Sequence, residues 1–178
     1  MNLIINAYPK KDAHPFGVSL AEHLAKHLDS TTQMIRVYDA EQKYFNYEHN
    51  PEWIDLVIKA KTIIVPVPVW NFMVPAALKD FFDKVIKRGK VWDMDKEGKF
   101  FGLLDDKPVY IIMTSGGHYP AGSAKDFIVP YLKATFEFMG IKNVKEFRIG
   151  QISSSQKLAS DKEYFEERAS AMLKAFRL

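Results

Sequence analysis

Along the chain, apolar and polar positions fall into two kinds of segment that take turns. Short, nearly unbroken apolar runs occupy residues 2–8, 33–38, 62–68, 108–114 and 145–150. Between and after them, apolar residues recur at intervals of three and four over 18–28, 51–60, 75–87, 124–139 and 161–176. In the first of these, Leu20, Leu24 and Leu28 stand at i, i+4 and i+8 with Ala21 and Ala25 beside them, which predicts a helix with one face turned to a core. Pro75 suits the first turn of its helix, where a missing N–H costs little, and Gly140 is placed to stop the helix that ends in Phe136-Glu137-Phe138-Met139. Strands that are apolar throughout and alternate with helices predict a parallel sheet covered on both faces.

Right-handed crossovers leave few topologies for five such strands, and the simplest is the order 2-1-3-4-5. The expected architecture is therefore an α/β, flavodoxin-like three-layer sandwich formed by a single domain over residues 1–178. Residues 88–107 depart from the pattern: they lack a helical period and carry Gly89, Gly98 and Gly102 among charged and aromatic residues. They read either as a solvated excursion or as a flap or small hairpin near the site or a subunit interface.

Composition narrows the function classes. The chain of 178 residues has no cysteine, which excludes disulfides, thiolate metal sites and cysteine nucleophiles. Its net charge is +3, from lysines that are scattered rather than clustered, so neither a nucleic-acid stripe nor a polybasic membrane tail is expected. The first apolar run is too short for a signal-peptide core, and no segment reaches the length of a membrane span. A cytoplasmic location without membrane insertion is the expectation. His23 and His27 stand at i, i+4 but find no third ligand in the sequence, so no metal is expected.

The chemistry concentrates where two apolar runs stop. After residues 62–67 comes Pro68-Val69-Trp70-Asn71-Phe72-Met73-Val74-Pro75, and after 109–113 comes Thr114-Ser115-Gly116-Gly117. Small molecules bind an open parallel sheet outside the carboxyl ends of its strands, where strand order reverses. Trp70 and Phe72 offer apolar surface to a flat ring, the amides from Val69 to Phe72 can meet its edge, and Asn71 adds a group that donates and accepts. Gly116 and Gly117 permit close approach of backbone on the other side, with a hydroxyl from Thr114 or Ser115. That combination suits a flavin.

These loops resemble those of the flavodoxin-fold NAD(P)H:quinone oxidoreductases, and in particular the bacterial FMN-dependent NADH-azoreductase branch. The likeness runs through Pro68 to Lys79, Gly89-Lys90-Val91-Trp92, Gly102-Leu103-Leu104, Thr114 to Gly117, Val129 to Lys133, and Phe138 to Ile141, in order and with matching spacing. The resemblance implies FMN as cofactor, NADH or NADPH as co-substrate, and quinones or azo compounds reduced by two-electron, ping-pong hydride transfer. It also implies a homodimer whose active sites are shared between subunits, and FMN rather than FAD because the chain lacks the extra C-terminal region of larger FAD-using relatives. His118 and Tyr119, just past the glycines, are candidates to line the open face or to donate to an acceptor.

In one loop the chain departs from that pattern. After the first strand, Pro15-Phe16-Gly17 stands where relatives carry serines, so the phosphate is expected to rest on the amides of Phe16, Gly17 and Val18 at a helix start, with charge from His14 or Lys10. Two other readings stay open on the sequence: a flavodoxin-like electron carrier, and a flavin-free binding or regulatory protein on the same fold.

Overall fold

The computed structural model describes residues 1–9, 16–28, 30–39, 48–151 and 162–178, and in it the five apolar runs pair into one parallel sheet. Its strands are β1 (Asn2–Asn6), β2 (Thr32–Arg36), β3 (Thr62–Pro68), β6 (Val109–Thr114) and β7 (Val144–Ile149). Two short strands, β4 (Trp92–Met94) and β5 (Phe100–Gly102), form an antiparallel hairpin between β3 and β6 in the chain. The helices are α1 (Phe16–His27), α2 (Pro51–Lys59), α3 (Ala76–Val85), α4 (Ile128–Phe138) and α5 (Lys162–Phe176). Sheet order is β2-β1-β3-β6-β7, which is the expected 2-1-3-4-5 when the parallel strands alone are counted.

Both faces of the sheet are covered because successive side chains of each central strand point to opposite sides. Leu3, Ile5, Ile63, Val65, Val67, Ile111 and Met113 meet Ile54, Phe81, Phe82 and Phe136 from α2, α3 and α4. Ile4, Ile64, Tyr110 and Ile112 meet Leu20, Leu24, Met172 and Phe176 from α1 and α5. All seven residues of β3 are buried. Each fully buried aliphatic side chain is worth about 1.5–3 kcal/mol relative to exposure, so this strand is the main anchor of the sheet.

Two boundaries differ from the sequence pattern for local reasons. β1 stops at Asn6 rather than Tyr8, since the Asn6 side-chain oxygen accepts the Tyr8 N–H at 2.9 Å and bends the chain out of the ladder. The helix expected from residue 124 starts at Ile128, because the residues before it form turns: Ser123 N–H donates to Pro120 O at 3.2 Å and Asp126 N–H to Ser123 O at 2.9 Å.

The most consequential detail of the sheet is proline within a central strand. Ala7 N–H donates to Pro66 O at 3.2 Å, so the backbone of residue 66 faces β1, and there it has no N–H to give in return. Residue 68 faces the same way, two positions on. On the opposite side, the β3–β6 ladder runs without a break from Ile63↔Val109 to Pro68↔Thr114, whereas β1–β3 pairing ends at Ile4↔Ile64. Beyond Ile4↔Ile64, Pro66 still accepts from Ala7 but offers β1 no donor, at the point where strand order reverses.

Residues 88–107 hold the hairpin, and it is docked backbone to backbone. A side chain at Gly102 would collide with the main chain of Met139 and Gly140 at the end of α4. Gly140 itself has φ +106° and would bring a Cβ to 2.6 Å from Leu104 O. Leu104 N–H then closes the contact by donating to Met139 O at 3.0 Å. Nearby, the buried Lys107 ammonium donates to Val57 O and Ile58 O at 3.2 and 3.0 Å, satisfying carbonyls at the end of α2.

Replacing Gly102 by alanine is expected to lower stability by about 2 kcal/mol through this backbone collision. A urea midpoint unchanged from wild type would contradict the docking described.

Candidate active site

Residues 70–73 turn the chain in the smallest space available. Trp70 N–H donates to Met73 O and Met73 N–H to Trp70 O, both at 3.0 Å, with Asn71 and Phe72 between them at φ +47° and +70°. Two consecutive left-handed residues closed by a reciprocal pair are a type I′ turn, normally filled by Asn-Gly. Asn tolerates this conformation; a phenylalanine does so only at a cost of about 1–2 kcal/mol. The turn nevertheless presents Trp70, Asn71 and Phe72 to solvent, with Trp70 44% and Phe72 45% exposed. Val69 N–H donates to Thr114 O at 2.8 Å and so fixes the turn to the end of β6.

The amides of this loop divide into two sets. Those of Val69 and Trp70 are consumed inside the protein, by Thr114 O and Met73 O. Those of Asn71 and Phe72 have no partner among the described residues.

The Thr114–Gly117 loop shows a similar division. Thr114 and Ser115 are buried, and their hydroxyls are turned inward: Thr114 Oγ1 pairs with the Tyr8 hydroxyl, and Ser115 Oγ donates to Gly117 O at 2.8 Å. Both hydroxyls therefore have partners within the protein. Ser115 N–H donates to Ile149 O at 2.9 Å and Gln151 N–H to Gly117 O at 3.2 Å, so the loop is stitched to the end of β7. Gly116 is exposed and Gly117 half-buried, and the Gly117 N–H has no partner among the described residues. A Cβ on Gly117 would lie 3.1 Å from the Tyr119 ring.

At the third wall, α1 begins with Phe16, whose ring is buried 5.4 Å from Tyr164 and 6.0 Å from Phe165. Gly17 lies directly against the Tyr8 hydroxyl and the Thr114 methyl, leaving no room for a side chain. The first-turn amides of Phe16, Gly17 and Val18 lack intrahelical partners, and no acidic residue stands in that turn. His14 and Lys10 lie outside the described residues.

His118 is exposed, while Tyr119 is half-buried with its ring 6.1 Å from that of Phe72, edge to face. What holds Tyr119 in place was not legible beforehand. Arg148 on β7 donates to Tyr119 O at 3.1 Å and forks onto Asp126 at 2.8 and 3.0 Å. It also donates to Glu146 at 2.7 Å, and Lys133 takes the other Glu146 oxygen at 2.7 Å. Burial alone would raise the Asp126 carboxyl, but the Arg148 fork and the Gly122 N–H outweigh it and hold that group below the ordinary aspartate range. Glu146 is likewise held down against burial by Lys133 and Arg148. Three charged residues in the strand, Glu146 and Arg148 among them, were the only signal, and their partners lie too far along the chain to be inferred. Tyr8, bridging the first loop to Thr114, was equally unforeseen.

A sequence profile described as the flavodoxin-like fold matches residues 2–174. An FMN-dependent NADH:quinone oxidoreductase of Cellvibrio japonicus (strain Ueda107) is 31% identical over 172 residues, covering 90% of this chain and 85% of its own. The chain belongs to this flavodoxin-like quinone oxidoreductase family. A second member, from Beijerinckia indica, is 30% identical over 136 residues, or 73% of this chain and 67% of its own. Among solved structures, an FMN-dependent NADH-azoreductase from Bacillus anthracis in complex with FMN superposes with a TM-score of 0.77 at 23% identity, over 97% of both chains. The azoreductase AzrA gives 0.74 at 20% identity, over 97% of this chain and 99% of its own. These last two bear on the fold, and they agree with the sheet order.

The strained turn gives one expected outcome. Phe72→Gly, which makes the favoured Asn-Gly turn, should raise stability by about 1 kcal/mol although it removes a half-exposed ring; a lower denaturation midpoint would contradict the strain. The Arg148 clamp gives another. Because the folded-state values of Asp126 and Glu146 are depressed, their stabilisation is complete above about pH 5 and is lost as pH falls through the lowered values. Asp126→Asn should cost about 2 kcal/mol at pH 7 and flatten the fall in urea midpoint between neutral and acid pH. An equal acid slope in wild type and variant would show that the clamp does not titrate.

Proposed function

We propose that this chain is a single-domain, cytoplasmic, FMN-dependent NADH:quinone oxidoreductase that also reduces azo compounds, acting as a homodimer. The observation that carries the reading is the arrangement of unpartnered amides around one opening. Asn71 and Phe72 supply two at one wall and Gly117 one at the other, while Trp70, Phe72 and Tyr119 supply apolar surface between them. A flat heterocycle with acceptors along its edges fits such a set. A terminal phosphate fits the first turn of α1, where amides without intrahelical partners and the positive end of the helix dipole coincide and no acidic residue stands within the turn itself. His14 and Lys10 are proposed to add charge there.

When bound, the flavin supplies the hydride chemistry that no side chain of this protein can perform. The protein binds, orients and shields. Overall, NADH and a solvent proton reduce a quinone to the hydroquinone, with NAD⁺ released, so two electrons and two protons reach the acceptor. NADH and acceptor use the same open face in turn, bounded by Phe72 and Tyr119, which is why the kinetics are ping-pong. Donors already aimed at the ring edge stabilise charge that builds there without reorganisation. His118 and Tyr119 are assigned to the rim, where each can donate to an acceptor oxygen or nitrogen.

The homodimer draws support from an aromatic surface away from the sheet edge. Trp92, Phe100 and Phe138 pack at 5.3–6.2 Å, yet Phe100 remains 58% exposed, and the adjacent Phe101 and Leu103 are exposed as well. Contiguous apolar surface of this kind marks an interaction site. Among the described residues, no helix is long and apolar enough to cross a membrane.

Purified protein, supplemented with FMN if required, should show flavin absorption that bleaches on anaerobic NADH addition and returns on adding a quinone. Asn71→Ala, which keeps the backbone N–H but removes the side-chain amide proposed to bond the ring edge beside it, should weaken FMN binding by about tenfold. Protein that neither binds FMN nor oxidises NADH would overturn the reading.

A further inference from the structure

One cation beside Phe72 lies outside the set of residues proposed above to hold the flavin. Lys125 lies in the loop before α4, with its ammonium 5.6 Å from the centroid of the Phe72 ring. Its neighbour Asp126 is fully engaged by Arg148 and the Gly122 N–H, so it does not neutralise Lys125. Among the described residues no carboxylate forms a salt bridge with it. Val69, Phe72, Tyr119 and Phe127 line the same shallow recess, with Lys125 and the Arg148-paired Asp126 as its charged members. The Arg148 clamp immobilises the loop on either side of Lys125, through Tyr119 O and Asp126. A long, exposed side chain is thus anchored where a ring stacked beside Phe72 would carry its substituents.

We infer that Lys125 selects acceptors: it favours aromatic or quinonoid rings that bear a carboxylate or sulfonate directly on the ring. This rests on the oxidoreductase reading above. The other anionic candidate for the same charge is the diphosphate of NADH. A group attached directly to the stacked ring reaches the ammonium, whereas a diphosphate separated from its nicotinamide by a ribose lies farther out. The attraction is that of an exposed pair, modest and screened by salt.

The experiment uses flavin-loaded protein with 1,4-naphthoquinone and 1,4-naphthoquinone-2-sulfonate, comparing wild type, Lys125→Met and Lys125→Arg. Methionine retains an unbranched apolar stem on Phe72 and removes only the charge. Lys125→Met should raise KM for the sulfonate about fivefold at low salt, leaving its kcat and the constants for the uncharged quinone where they were. Arginine should restore the wild-type KM. Raising the ionic strength should weaken the sulfonate preference of wild type and leave the methionine variant unmoved. Equal effects on both quinones, or a shift confined to the KM for NADH, would overturn the assignment while leaving the oxidoreductase intact. Failure of the wild type to reduce even the uncharged quinone would instead remove the reading on which it rests.

Discussion

The site depends on the missing hydrogen-bond donors of Pro66 and Pro68. A strand buried on both faces normally offers a complete ladder to each neighbour, and proline is excluded from its centre for that reason. In β3 the defect is one-sided. Toward β6 the ladder continues to Pro68↔Thr114, and toward β1 pairing stops at Ile4↔Ile64. β1 is then free to turn at Asn6 and send Tyr8 toward Thr114, two strands away. The missing donors thus coincide with the switch point, where strand order reverses.

Around that opening, specific bonds hold the strand ends and the loops that follow them. The β6 end is held by Val69 N–H on Thr114 O, Ser115 N–H on Ile149 O and the paired hydroxyls of Tyr8 and Thr114. The Tyr119 loop is held by a guanidinium that spends its donors on two carboxylates and one carbonyl. Left-handed backbone falls at Asn71 and Phe72, in a turn whose two closing bonds leave those residues no alternative, and at Gln151, which donates to Gly117 O. A left-handed phenylalanine persists only where its surroundings over-determine it, and such residues gather at ligand sites.

Much of this was legible in the sequence, for a simple reason. Strands buried on both faces are apolar throughout, so each of the five runs announced itself without knowledge of its partners. Helix periodicity and right-handed crossovers then left the order 2-1-3-4-5. The errors lie where short-range polar contacts override periodicity, as at Asn6 and in the turns before Ile128. Within the site, residue types that suit a ring were visible at Trp70–Phe72 and Gly116–Gly117. Which amides remain available was not, because that depends on the Val69–Thr114 bond and the reciprocal pair across 70–73. Arg148 and Tyr8 act through partners 22 and 106 residues distant, and no local pattern encodes such a pairing.

The result is a division of labour between main chain and side chain. In the proposed site the groups that would meet the ring edge and the phosphate are chiefly main-chain amides, at Asn71, Phe72, Gly117 and the start of α1, with the Asn71 side chain beside them. The hydroxyls of Thr114 and Ser115 pair within the protein, with Tyr8 and Gly117 O. A phosphate loop without serines is therefore consistent with the rest of the molecule, since the other walls also contribute backbone and use their polar side chains internally. Side chains that point outward, Trp70, Phe72, His118, Tyr119 and Lys125, bear on whatever occupies the open face. Changes at the inward set alter whether the site exists, whereas changes at the outward set alter what it accepts. Such a scaffold can hold one cofactor while its acceptor range is tuned by a few residues at the rim.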